Sequence, residues 1–208
     1  MNKEIAKSLY GYFETLYNIN RKLIELCGIN ILLEEEGEEK LLFDIIIDIP
    51  RVLPYSKNKK TKKLEFKDRD GLLEYKNSII YLEAEYNDIL AKHYDFLNKV
   101  KEIRNKYEHK MHGISNESFG GGTMILFNYV FIIDENRIDI NSDDLINLIK
   151  DINCLYSRIS KDVLTFAYEN ELYDFPYYRR LCKTDFQIFN DIYDSKDLRK
   201  IGRIMRNY

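Results

Sequence analysis

Apolar positions recur at helical spacing over most of this chain, with few interruptions. From Lys3 to Cys27, Ile5, Leu9, Phe13, Leu16, Leu23 and Ile24 hold one stripe, with Tyr10, Tyr12 and Tyr17 interleaved. That predicts a first helix, closed by Gly28. Leu41 to Ile49 reads as strand or helix; Asp44 and Asp48, four apart, favour helix, with Pro50 and Pro54 breaking it. A pattern free of Pro and Gly then runs from Asp70-Gly71 to His112, about 60 Å if straight at 1.5 Å per residue. Ile79, Ile80, Leu82, Tyr86, Ile89, Leu90, Leu97 and Val100 belong to its apolar stripe. So long an element is expected to bend or break once, near His93 and Tyr94. Gly113 to Gly122 reads as a loop ending in three glycines. Met124 to Ile133 and Arg137 to Ile140, turned at Asp134-Glu135-Asn136, read as a small hairpin. Asn141-Ser142-Asp143-Asp144 carries cap and acidic first-turn residues, and predicts a helix to about Glu169. Beyond Pro176 a C-terminal helix runs through Phe186, Ile188, Phe189, Ile192 and Tyr193.

These elements describe one mainly α domain over residues 1–208, with a β-hairpin insertion around 123–140. Composition agrees: 45% hydrophobic and 32% charged residues suit a globular protein with a sizeable core. Cys27, Cys154 and Cys182 are odd in number and widely spaced. They read as buried thiols in a reducing compartment, the cytoplasm, and not as a zinc or redox site. The N-terminus has no basic region followed by an apolar run, and no apolar stretch approaches the ~20 residues of a membrane span.

Charge changes this picture locally. The net charge is −3, whereas free-standing RNA binders are commonly basic. Two clusters go against the average. The loop at 51–69 carries Arg51, Lys57, Lys59, Lys60, Lys62, Lys63, Lys67 and Arg69 against Glu65 and Asp68; the tail at 196–208 carries Arg199, Lys200, Arg203 and Arg206. Lys57, Lys59, Lys60, Lys62, Lys63, Arg199 and Arg203 are candidate phosphate contacts, or else cations of solvated surface. The acidic run Glu34 to Glu39 reads as surface, with metal binding the alternative. No Gly-Lys-Ser/Thr follows the glycines at 120–122, which excludes a phosphate-binding P-loop.

The chemistry-bearing stretch is Lys101 to Gly113, at the end of the longest helical pattern. It holds two of the chain's 3 histidines. With Val100, Ile103, Tyr107 and Met111 on the buried stripe, the opposite wedge runs from Arg104 through Glu108, His112 and Asn105 to His109. Asn105 and His109 are four apart and can hydrogen-bond. Arg to hold a phosphate, His to move a proton and Asn to orient the His suffice for phosphoryl chemistry without a metal. Gly113 is the expected helix stop. His109 and His112 with a carboxylate could instead bind a metal, and His93 reads as a structural histidine.

Arg104-Asn105-Lys106-Tyr107-Glu108-His109 resembles the Arg-x(4–6)-His signature of the HEPN superfamily, in the form with a polar Asn after the Arg. The resemblance spans roughly residues 71–170. It implies a HEPN-like helical bundle of four to six helices, a homodimer formed through the motif helices and, in active members, a metal-independent endoribonuclease with no cofactor. Carried over, the catalytic set is Arg104, Asn105 and His109, with Glu108 and His112 as candidate supporting groups and RNA as substrate. A toxin or phage-defence effector, held by an inhibitory partner protein, is the expected setting. Members often carry a Tyr two residues after the His; this chain departs from that with Met111. The competing expectation is a non-catalytic helical module that binds a partner protein or a nucleotide.

Overall fold

The computed structural model describes residues 3–29, 35–67, 79–119, 126–133, 136–171 and 186–195. Among them the chain is mainly helical, with two small antiparallel sheets. Helix α1 (Lys3–Ile24) buries Leu9, Phe13, Leu16, Ile19 and Leu23 at the expected period and ends in a π-turn, Glu25–Ile29, that buries Cys27. Helix α2 (Glu35–Val52) packs against α1 through its apolar face, which includes Leu42, Ile45, Ile46 and Ile49. The helical reading of Leu41–Ile49 is correct, but Pro50 does not break the element. It lies in the last turn, where its missing N–H removes one intrahelical bond. The backbone recovers at once, with Leu53 N–H donating to Ile49 C=O at 2.9 Å.

The basic segment expected as a loop contains a hairpin. Strands β1 (Tyr55–Lys57) and β2 (Leu64–Phe66) pair antiparallel, Tyr55 opposite Phe66 and Lys57 opposite Leu64. Its tip is closed by Asn58, whose Oδ1 accepts from Lys60 N–H at 2.9 Å and Thr61 N–H at 3.2 Å. Only Leu64 and the partly buried Tyr55 and Phe66 anchor it to the core; the lysines on either side hide so short a strand pattern.

Helix α3 (Ile79–Lys92) and helix α4 (Tyr94–Lys110) are separated by His93, where the break was expected. His93 is buried, and its Nε2 lies 2.7 Å from Asp151 Oδ2, to which Lys92 Nζ also donates at 2.6 Å. Burial pushes the Asp151 carboxyl up, but the hydrogen bonds from Lys92 and His93, with their charge, outweigh it and hold the group below its ordinary value. His93 is thus a structural histidine that ties the α3–α4 joint to the next long helix.

A second correction falls at the end of α4. The helix stops at Lys110, not at Gly113, and Met111–Phe119 is strand β3 where a loop was expected. β3 pairs with β4 (Leu126–Ile133), and β4 with β5 (Asn136–Asn141), giving a three-stranded antiparallel sheet. The expected hairpin is therefore present with a third strand added. Between the pairs Met111–Ile133 and Ile114–Phe131 the register shifts, so His112 and Gly113 oppose Ile132 in a bulge. Nothing in Met111-His112-Gly113-Ile114-Ser115-Asn116 alternates by polarity; pairing with the apolar β4 decides the strand. The sheet packs on α4 and on the following helix, burying Tyr129, Phe131, Ile138 and Ile140.

Helix α5 (Ser142–Glu169) has the expected limits, but it exposes Cys154, which was expected to be buried. Asn141 is its cap, with Oδ1 accepting from Asp144 N–H at 2.8 Å. Helix α6 (Phe186–Ser195) packs along α5. Phe13, Tyr156 and Phe186 meet edge-on or tilted, with ring centroids 5.8–6.4 Å apart. A wholly buried polar cluster joins α1, α5 and α6. Asn20 and Asn153 exchange amide hydrogen bonds at 2.7 and 2.8 Å, Asn153 Nδ2 donates to Asn190 Oδ1 at 2.9 Å, and the Tyr193 hydroxyl donates to Asn20 Oδ1 at 2.8 Å. The acidic Glu34, the glycines 120–122, Pro176, Cys182 and the basic tail with Arg199 and Arg203 lie outside the described residues.

Candidate functional site on helix α4

Helix α4 is amphipathic because Phe96, Leu97, Val100 and Ile103 enter the core, the last three with no exposed surface. The residues between them are left on the outer face. Arg104 and Asn105 are exposed, and Asn98, Lys101 and Glu102 are half-buried. The first two residues of the motif are thus both on the solvent side, about 100° apart around the helix. Met111, expected on the same helical stripe, lies in β3.

The β1–β2 hairpin lies along the same helix, tied to its N-terminal half. The Tyr55 hydroxyl donates to Leu97 C=O at 3.0 Å, the Tyr94 hydroxyl donates to Lys62 C=O at 2.9 Å, and Lys57 Nζ donates to Asn98 Oδ1 at 3.2 Å. The Lys57 ammonium also sits over the Tyr94 ring, 5.6 Å from its centroid. Between hairpin and helix opens a cleft of about 260 Å³, lined by Lys57, Asn98, Lys101, Glu102 and Asn105. Burial pushes the Tyr55 hydroxyl far above its ordinary value, and the positive charge of Arg104 opposes that rise.

His109 lies in α4 four residues after Asn105, one helical turn further on, and Glu108 lies in the same helix. Their side chains fall outside the described residues, as does the expected Asn105–His109 hydrogen bond. Helical register alone relates them to Arg104 and Asn105. His112 is a different case. It was expected on the same wheel, but the helix ends two residues before it and His112 sits in the bulge of β3. The premise that His109 and His112 share a helical face, on which a metal site was considered, therefore fails. Among the described residues no group of three His, Cys, Asp or Glu side chains is placed to hold a metal ion. Nor is any described helix long and apolar enough to cross a membrane.

Of the basic candidates, Lys57 lines the cleft, while Lys59, Lys60, Lys62 and Lys63 are exposed around the tip of the hairpin. Sequence reasoning placed Asn98 and Lys101 only on the expected dimer face, Asn98 to His112, and gave no site role to Tyr94. The signal was there: Tyr94, Asn98, Lys101 and Asn105 follow one another at intervals of four, three and four, a polar stripe beside the core stripe. Comparison with known proteins adds no relative, since no family model, no curated protein and no solved structure matches the chain.

Proposed function

We propose that this chain is a metal-independent endoribonuclease of the HEPN type. The observation that carries the reading is the exposure of Arg104 and Asn105 on the outer side of α4, with Asn105 on the rim of an open cleft walled by Lys57 and Lys101. RNA supplies its own nucleophile. The ribose 2′-hydroxyl gives its proton to a base, its oxygen bonds to the adjacent phosphorus, and the 5′-oxygen leaves with a proton, giving a 2′,3′-cyclic phosphate. In this reading His109 moves the proton, Arg104 offsets charge on the pentacoordinate phosphorus, and Asn105 orients either the imidazole or the phosphate. Two chains meeting across a two-fold axis through the exposed face of α4 would bring two such sets into one cleft.

The test is incubation of purified protein with RNA in EDTA, beside His109→Ala and Arg104→Lys. Cleavage that leaves 2′,3′-cyclic or 3′-phosphate ends and is lost in both variants supports the reading. Arg104→Lys belongs in the set because a point charge replaces a two-pronged donor. Cleavage undiminished in His109→Ala, or restored only by a divalent metal, overturns it and leaves a helical binding module.

A further inference from the structure

The hairpin sequence Tyr55 to Lys67 contains six lysines and one acidic residue, Glu65, and the Glu65 carboxylate accepts from Asn58 Nδ2 at 2.9 Å. Such a density of one charge on a short tip disfavours itself by repulsion. The tip also carries backbone strain, since Lys62 has φ 63°, a left-handed conformation in which glycine would cost less. The Tyr94 hydroxyl holds the Lys62 carbonyl, and Tyr55 and Lys57 also bind the hairpin to α4, which keeps the lysine-rich tip beside the motif helix. From Tyr94 to Asn105 the α4 stripe runs about 16 Å at 1.5 Å per residue. It therefore joins the lysine tip at one end to Arg104 and Asn105 at the other, with the cleft between.

We infer that the β1–β2 hairpin and the outer stripe of α4 form one binding surface for the phosphate backbone of single-stranded RNA, which holds the strand flanking the scissile phosphate. This rests on the ribonuclease reading for its substrate. Charge complementarity names the ligand class: lysines at the tip, Lys57 and Lys101 on the cleft walls and Arg104 beyond them form a track of cations suited to a polyanion. Glu102 lines the same cleft. Length argues for a single strand. Duplex RNA is bound by modules spanning about 16 base pairs, far more than this surface covers.

The experiment uses the full chain and a 12-nucleotide 2′-O-methyl RNA strand, which cannot be cleaved, with fluorescence anisotropy in EDTA across a salt series. A triple variant, Lys59→Gln, Lys60→Gln and Lys63→Gln, is compared with wild type and with Lys101→Gln, and melting temperatures establish that each is folded. Three lost phosphate contacts should reduce the logarithmic salt slope by about 2, at about 0.7 each, and the affinity in ~0.1 M salt by about a hundredfold. Lys101→Gln should cost about fivefold on the same basis. Equal affinity of wild type and both variants overturns the inference, as does equal or tighter binding of the matched duplex. The two readings separate cleanly. Hairpin-dependent binding without cleavage of natural RNA by the wild type keeps the surface and removes the ribonuclease; cleavage with binding indifferent to these lysines does the reverse.

Discussion

Two regions of this molecule are built from asparagines on helices and behave in opposite ways. In the cluster shared by α1, α5 and α6, Asn20, Asn153 and Asn190 are almost wholly buried, and their amides are partnered by one another, by Tyr193 or by backbone carbonyls. On α4, Asn105 and Arg104 face solvent beside a cleft, and Asn98 and Lys101 line it. A buried, satisfied polar group resists substitution because truncating one member strands its partners without water. An exposed one contributes little to stability. Polar residues that are expensive to keep buried therefore define architecture, and those left outside beside a cleft are free to act on a ligand.

The contrast can be broken most severely at the motif. Under the proposed mechanism His109→Ala lowers RNA cleavage by roughly two to four orders of magnitude, with a melting temperature close to wild type. A large loss of stability would show that His109 belongs to the architecture instead.

In the buried region, alkaline pH should act on Cys27. Burial pushes its thiol up to about 12, and the Tyr193 hydroxyl, also raised by burial, feels Cys27 as a further upward influence. The unfolded chain ionises its thiol from about pH 8.5 while the folded chain stays neutral. Stability is thus fully present below that pH and lost as pH rises towards 12, by about 5 kcal/mol for this group at roughly 1.4 kcal/mol per unit. Urea unfolding from pH 8 to 11 checks it, and Cys27→Ala should flatten the decline.

Asn153→Ala should cost about 3 kcal/mol in chemical denaturation, from lost hydrogen bonds, a stranded Asn190 Oδ1 and a small cavity. Cleavage per folded molecule should be unchanged. An activity loss as large as that of His109→Ala would erase the distinction between the two regions. The smallest effect belongs to the hairpin, where Lys62→Gly relieves a left-handed lysine and should change stability by less than about 1 kcal/mol, measured by thermal melting.

Much of the helical framework was legible along the chain because its signals are local. The Asn141 cap, the break at His93 and the long apolar stripe of α5 each depend on residues within a few positions of one another. The spacing of Arg104, Asn105 and His109 was legible for the same reason. Pro50 was misread because it lies in the last turn of α2, which ends two residues later at Val52. Met111 to Phe119 was misread because its residues carry no strand pattern of their own; β4 supplies the pairing. That pairing takes His112 off the helix and into the sheet.

Residue order alone thus settled most of the helical spans and the spacing of Arg104, Asn105 and His109, since helical period is a short-range property. Only the folded chain decided that a lysine-rich segment some forty residues earlier, by contacts such as Tyr55–Leu97, at a sequence separation of 42, lies along α4 and walls a cleft. The free energy for that placement comes from burying Leu64, Tyr55 and Phe66 against the core. Those contacts are set by the packing of distant elements, which no local pattern of charge or hydrophobicity encodes.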